Sequence, residues 1–108
     1  MTVREMTIAE TAELLREKDD ILIVCHAHPD GDAVGCGVAL ERMLTSIGKT
    51  AYLICADVLP HHLRFLLGYR PSDRVDTDAG ALRPERLPAS FSSSFTVTVD
   101  VASIELTG

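Results

Sequence analysis

The spacing of hydrophobic positions changes several times along the chain, and each change marks an element. Ile8, Ala12 and Leu15 recur at helical spacing, and Thr7 with Glu10 three residues on has the form of a capping box. This predicts a first helix from about Ile8 to Lys18, punctuated by Asp19-Asp20. Ile21 to Cys25 is an unbroken apolar run, which suits a strand covered on both faces in a parallel sheet. His26 to Asp32 is a polar loop at its end. Asp32 is placed to cap a second helix, Ala33 to Ile47, which Gly48 stops. Val34, Val38, Leu40, Leu44 and Ile47 supply its apolar positions. Gly35 and Gly37 weaken it by about 1 kcal/mol each relative to Ala, which implies a close approach to another backbone or a ligand. Thr50 to Ala56 reads as a second strand. Pro60 opens a short helix, His61 to Leu67, ended by Gly68. Pro71, Gly80, Pro84 and Pro88 interrupt the stretch from Tyr69 to Ser94, where no element is placed. Phe95 to Val99 reads as a third strand with Asp100 at its end.

This alternation implies an α/β fold: a three-layer parallel sheet with helices on both faces. At 108 residues the chain has room for one domain, and 46% apolar with 24% charged residues is globular composition. Ten basic against sixteen acidic residues leave a net charge of −6, a poor basis for gripping long duplex nucleic acid. A phosphate-bearing ligand stays open to such a chain if metal ions bring the positive charge. No apolar run is long enough to span a membrane, and the start has no signal-peptide pattern. Three cysteines without CxxC spacing suggest reduced thiols, so the expected location is cytoplasmic.

The chemistry concentrates in His26-Ala27-His28-Pro29-Asp30-Gly31-Asp32. In open parallel sheets ligands bind outside the carboxyl ends of the strands, where this loop lies. Two carboxylates two residues apart on an extended segment project to the same side, and uncompensated they repel. Hard oxygens with one imidazole suit Mn2+, or Mg2+, better than a structural zinc. The plain alternative is a strand-to-helix loop with an aspartate cap. Cys25, Cys55 and Cys36 read as buried packing residues, and His61-His62 as the exposed first turn of a helix. Asp73, Asp76 and Asp78, and likewise Ser92 to Ser94, read as loop.

The run Ile21 to Gly35 resembles the first motif of the DHH phosphoesterase family: an apolar strand, His, two spacers, Pro-Asp-Gly-Asp-Ala, a hydrophobe and Gly. It is nearest to the nanoRNase/pAp phosphatase branch, whose relatives include RecJ-like nucleases and cyclic-dinucleotide phosphodiesterases. Ala56-Asp57 with Pro60 and Arg64-Phe65-Leu66 resembles the segment after that family's second strand. Val97 to Ser103 resembles its second motif, a strand ending in Asp. His28 stands where the family has Asn, and Cys36 where it has Ser.

The resemblance implies a metal-dependent phosphoesterase. His26, Asp30 and Asp100 would hold one ion; Asp32 and the shared Asp100, also the positions assigned to catalysis, would serve a second. Water activated by two ions would attack short oligoribonucleotides, 3′-phosphoadenosine phosphate or cyclic-dinucleotide-derived substrates. His26, Asp30 and Asp100 would then have to converge, which requires strand order 2-1-3. Residues 1–108 would form the N-terminal portion of a DHH domain, since the third motif, Asp-His-His, the fourth motif and the C-terminal substrate domain do not appear before Gly108. A full-length relative would be a possible homodimer. On this reading the third strand would present a bare edge, and the 108-residue chain would self-associate and be inactive. The alternatives are a truncated, inactive metal- or phosphate-binding portion and a metallo-β-lactamase-like hydrolase. The second rests on His26-x-His28-x-Asp30 but lacks the closing His. A TIM-barrel hydrolase needs a longer chain.

Overall fold

The computed structural model describes residues 5–26, 30–72, 76–99 and 104–107. Helix α1 spans Ile8–Glu17, β1 Ile21–Cys25, α2 Gly31–Ser46 and β2 Ala51–Cys55. A 3-10 helix covers His61–Tyr69 and a short one Pro84–Arg86; β3 spans Phe95–Val99 and β4 Ile104–Thr107. The capping box at α1 is complete: the Glu10 N–H donates to Thr7 Oγ1 at 3.1 Å, and the Thr7 N–H to Glu10 Oε1 at 2.9 Å.

The strands form one sheet in the order β2-β1-β3-β4, which contains the anticipated 2-1-3 arrangement. β1 is parallel to both β2 and β3, with Cys25 level with Cys55 on one side and Val99 on the other. β4 runs antiparallel to β3, with Val99 opposite Ile104. The sheet is therefore mixed, not fully parallel, and the β3 edge expected to be bare is covered. The cause is chain length: only residues 100–103 lie between the two strands, whereas a parallel return needs a crossover of a dozen or more.

Burial is one-sided, and this also corrects the three-layer expectation. Each of β1, β2 and β3 alternates between buried and partly buried positions. Ile21, Ile23, Cys25, Ala51, Leu53, Cys55, Phe95, Val97 and Val99 form the buried face. α2 lies on it so closely that a Cβ at Gly37 would stand 2.7 Å from Leu53 Cδ1 and 3.3 Å from Cys25 Sγ. On the opposite face Tyr52 meets Phe91 edge-on, with ring centroids 4.8 Å apart. Of the predicted apolar positions, Ile8 is 92% and Ile47 61% exposed, so neither joins the core. Cys36 is exposed as well.

One turn gathers the amino ends of three strands. Asp19 Oδ1 accepts the N–H groups of Asp20 and Thr50, at 2.8 and 2.7 Å. Ser94 donates through its N–H to the Asp20 carbonyl at 2.9 Å and through its hydroxyl to the Asp19 carbonyl at 2.7 Å. Asp20 holds the left-handed backbone this requires, with φ of 50°, a conformation aspartate tolerates better than most residues. With their starts tied together, the parallel strands end together at the opposite edge.

Candidate functional site

That edge carries the candidate residues. β1 ends at Cys25 and is followed by exposed His26; β2 ends at Cys55 and is followed by Ala56 and partly buried Asp57. β3 ends at Val99, level with Cys25. Asp100 and His28 lie outside the described residues, so the convergence of His26, Asp30 and Asp100 is not a described contact.

Asp30, not Asp32, caps α2. Its backbone is extended (φ −103°, ψ 174°), and its Oδ1 accepts the Ala33 N–H at 2.8 Å. The helix consequently starts at Gly31, two residues earlier than the spacing suggested, and Asp32 becomes an exposed member of its first turn. This corrects the extended-segment reading of the two carboxylates. A helical step separates them, with Asp30 half-buried and folded back on the helix end and Asp32 open to water. Both sit where the positive end of the helix dipole favours a carboxylate.

The thiol preceding His26 is closed off. Cys25 is buried, its Sγ lies 3.5 Å from the Ala33 carbonyl oxygen, and the hydrogen bond with Cys55 together with burial pushes its pKa up. It is a protonated packing group, as expected of a cysteine in an apolar strand.

Loop residues after β2 are held by side chains that periodicity does not reveal. Arg83 donates through Nη1 to the Ala56 carbonyl, and Arg64 Nε to the Thr77 carbonyl at 3.1 Å. The Cys55 N–H donates to the Leu82 carbonyl at 2.7 Å. Asp76 and Asp78 bind Arg86 at 3.2 Å at the surface, as expected of loop residues; Asp73, the third of the expected cluster, lies outside the described residues. A cavity of about 180 Å³ lies beside the outer side of β2, lined in part by Tyr52, Arg70, Arg83 and Arg86, and not at the His26–Asp32 edge.

The donors at the edge are chemically suited to a hard divalent cation: one imidazole and carboxylate oxygens. Among the described residues, however, no group of three or more His, Cys, Asp or Glu side chains is placed to hold a metal ion. The donor type fits, and the third donor of the expected set is Asp100. His61 and His62 are exposed on the 3-10 helix. No described helix is long and apolar enough to cross a membrane.

No family model and no solved structure matches the chain. Over 56 residues it is 46% identical to the bifunctional oligoribonuclease and PAP phosphatase NrnA of Thermus thermophilus, a match covering 51% of this chain and 17% of that protein.

Proposed function

We propose that this chain carries the first part of a metal-dependent phosphoesterase centre of the DHH type, acting on short nucleotide phosphoesters such as oligoribonucleotides or 3′-phosphoadenosine phosphate. The observation that carries the reading is the 46% identity with a relative named for both activities. The fold supports it by setting His26, Asp30 and Asp32 at the carboxyl edge of parallel strands, where such sheets bind ligands.

In this reading His26, Asp30 and Asp100 hold one Mn2+, or Mg2+, while Asp32 and Asp100 serve a second. Bound there, divalent ions lower the pKa of water towards neutrality and offset charge on the phosphoryl oxygens. The residues of the chain set the geometry. The Ala33 N–H fixes one oxygen of Asp30, and the carboxylate keeps its other oxygen for a cation. Exposed Asp32 reaches outward from the first turn. The buried, protonated Cys25 leaves the cation to harder donors. With only Asp32 and the shared Asp100 at the second position, the 108-residue chain holds one ion and turns over little.

The test is a thermal melt with and without millimolar Mn2+, beside a phosphodiesterase assay on a dinucleotide. Mn2+ is expected to raise the melting temperature, since a ligand at 100 times its Kd stabilises by about 2.7 kcal/mol. Asp30→Asn and Asp100→Asn remove the shift, and His61→Ala keeps it. A folded chain whose melt ignores Mn2+ overturns the metal assignment. Turnover near that of a full-length relative overturns the partial-site reading.

A further inference from the structure

Three arginines, Arg70, Arg83 and Arg86, line the cavity beside β2. Their side chains are 5%, 38% and 42% exposed, so Arg70 lies deepest and the other two stand nearer the mouth. One carboxylate, Asp76, shares the wall. Glu41, Glu85 and Asp78 pair with the same arginines but do not line the cavity. Each guanidinium carries five N–H groups, more than these partners use.

Arg70 shows the surplus most plainly. Its Nε and Nη2 donate to Glu41, and its Nη1 has no hydrogen-bond partner among the described residues. Among those residues Thr45 Oγ1 is the unpaired side-chain atom that is shut off from all accessible space. Arg70 Nη1 therefore opens on accessible space, and the space that Arg70 lines is the cavity. An unmet donor on a buried cation calls for an acceptor. Nearer the mouth, Arg86 gives Nη1 to Asp76 and Nη2 to Asp78 and keeps its Nε uncommitted. Asp76 accepts from Arg86 through Oδ2, and its Oδ1 accepts from no described residue.

The cavity thus offers several donors and one acceptor. A tetrahedral oxyanion meets the donors, since it presents acceptor oxygens in several directions. The open Asp76 oxygen sets a further condition: the anion must carry an O–H, or two acceptors face each other. Hydrogen phosphate has that O–H at neutral pH, and sulfate does not. Size agrees, because about 180 Å³ is well below the roughly 300–1,000 Å³ of pockets that take larger organic ligands. We propose that this cavity binds inorganic hydrogen phosphate, with Arg70 Nη1 at its depth, Arg83 and Arg86 at its mouth and Asp76 accepting the phosphate O–H. The site is separate from the His26–Asp32 edge and does not depend on the function proposed for that edge.

The experiment is isothermal titration calorimetry of the 108-residue chain in EDTA, with sodium phosphate and with sodium sulfate at matched ionic strength and neutral pH. Saturable one-to-one binding of phosphate is expected, with sulfate at least about tenfold weaker. Arg86→Gln breaks pairs that lie at the surface, which contribute little to folding. It weakens phosphate about tenfold, the cost of one hydrogen bond to a charged group. Asp76→Asn removes the preference for phosphate over sulfate. Circular dichroism verifies the fold of each variant, and if Arg86→Gln does not fold, Asp76→Asn alone decides. No saturable heat means that water alone fills the cavity, and it overturns the site. So do equal affinities of the parent chain for the two anions, unchanged phosphate affinity in Arg86→Gln, or an unchanged preference in Asp76→Asn. Phosphate binding lost in Asp30→Asn puts the anion at the strand edge and overturns the site as well. An Asp30→Asn chain that binds phosphate as the parent does supports the cavity whatever the Mn2+ melt says of the metal assignment.

Discussion

Glu41 and Arg70 form a two-bond ion pair closed to solvent, with Arg70 Nε 2.9 Å from Glu41 Oε1 and Nη2 3.1 Å from Oε2. The side chains are 0% and 5% exposed respectively. Glu41 Oε2 also accepts the Leu53 N–H at 2.7 Å. β2 is the end strand of the sheet, so this N–H points away from β1 and has no strand to bond. One carboxylate thus neutralises a buried guanidinium and closes the sheet edge. Glu41→Gln is expected to cost about 3–5 kcal/mol, because a buried charge left unpaired is far worse than a pair never made. That is a large share of a small domain's stability. Urea unfolding checks it; the double change Glu41→Leu with Arg70→Leu is expected to be milder than Glu41→Gln alone.

The cap that Asp30 forms can be separated from the metal-ligand role proposed for it. Asparagine caps a helix about as well as aspartate, whereas alanine loses the cap at about 0.5–2 kcal/mol. In the absence of metal Asp30→Asn is therefore expected to unfold close to the parent midpoint and Asp30→Ala below it, with neither variant stabilised by Mn2+. Metal-free denaturation followed by a Mn2+ titration separates cap from ligand. Equal metal-free losses in both variants would contradict the cap bond.

Gly35 and Gly37 of α2 should respond to alanine in opposite directions. A Cβ at Gly35 meets nothing described within 4 Å, so Gly35→Ala gains helix propensity, about 1 kcal/mol. Gly37→Ala makes the same gain but drives a Cβ into buried Leu53 and Cys25, and overpacking costs about 1–3 kcal/mol. A higher midpoint for Gly35→Ala and a lower one for Gly37→Ala are expected in the same unfolding assay.

Acid should loosen the fold at two exposed aspartates. The N–H groups of Thr50 and Asp20 hold the Asp19 pKa below its usual 3.8, and the Gly80 N–H with Arg86 does the same for Asp78. A lowered folded pKa means that the unfolded chain binds protons first. The stabilisation is present above 3.8 and is lost as pH falls through the folded values. Asp19→Asn and Asp78→Asn should flatten the decline in stability below that point, and circular dichroism melts across the acid range read the slope.

How much was legible depended on whether the signal was local. Thr7 and Glu10 announced α1 because a capping box is a contact within one turn. The apolar runs at Ile21, Ala51 and Phe95 announced three strands, and the polar loop after the first announced the edge where His26 and Asp30 sit. The cap shifted from Asp32 to Asp30 because any of several polar residues near a helix start satisfies the same pattern, and only tertiary placement chooses. Ile104–Thr107 was missed as a strand, since four residues carry too little periodicity. Glu41 was invisible: in the sequence it is one more acidic residue on a helix, and its burial exists only because Arg70, 29 residues away, meets it there.

The turn at Asp19 and Asp20 has a kinetic consequence. Its bond to Ser94 joins residues 75 apart, while β1, α2 and β2 close on themselves through a short crossover. Loop-closure entropy makes the local β-α-β unit the early event and the docking of β3 the late one. Until β3 arrives, the inner edge of β1 is open to other chains, a period of exposure during folding that the finished sheet no longer shows. Synthesis beyond Val99 must therefore precede assembly of the full carboxyl edge beside His26, so a nascent chain stopped after β2 can be folded in part and yet lack one side of that edge.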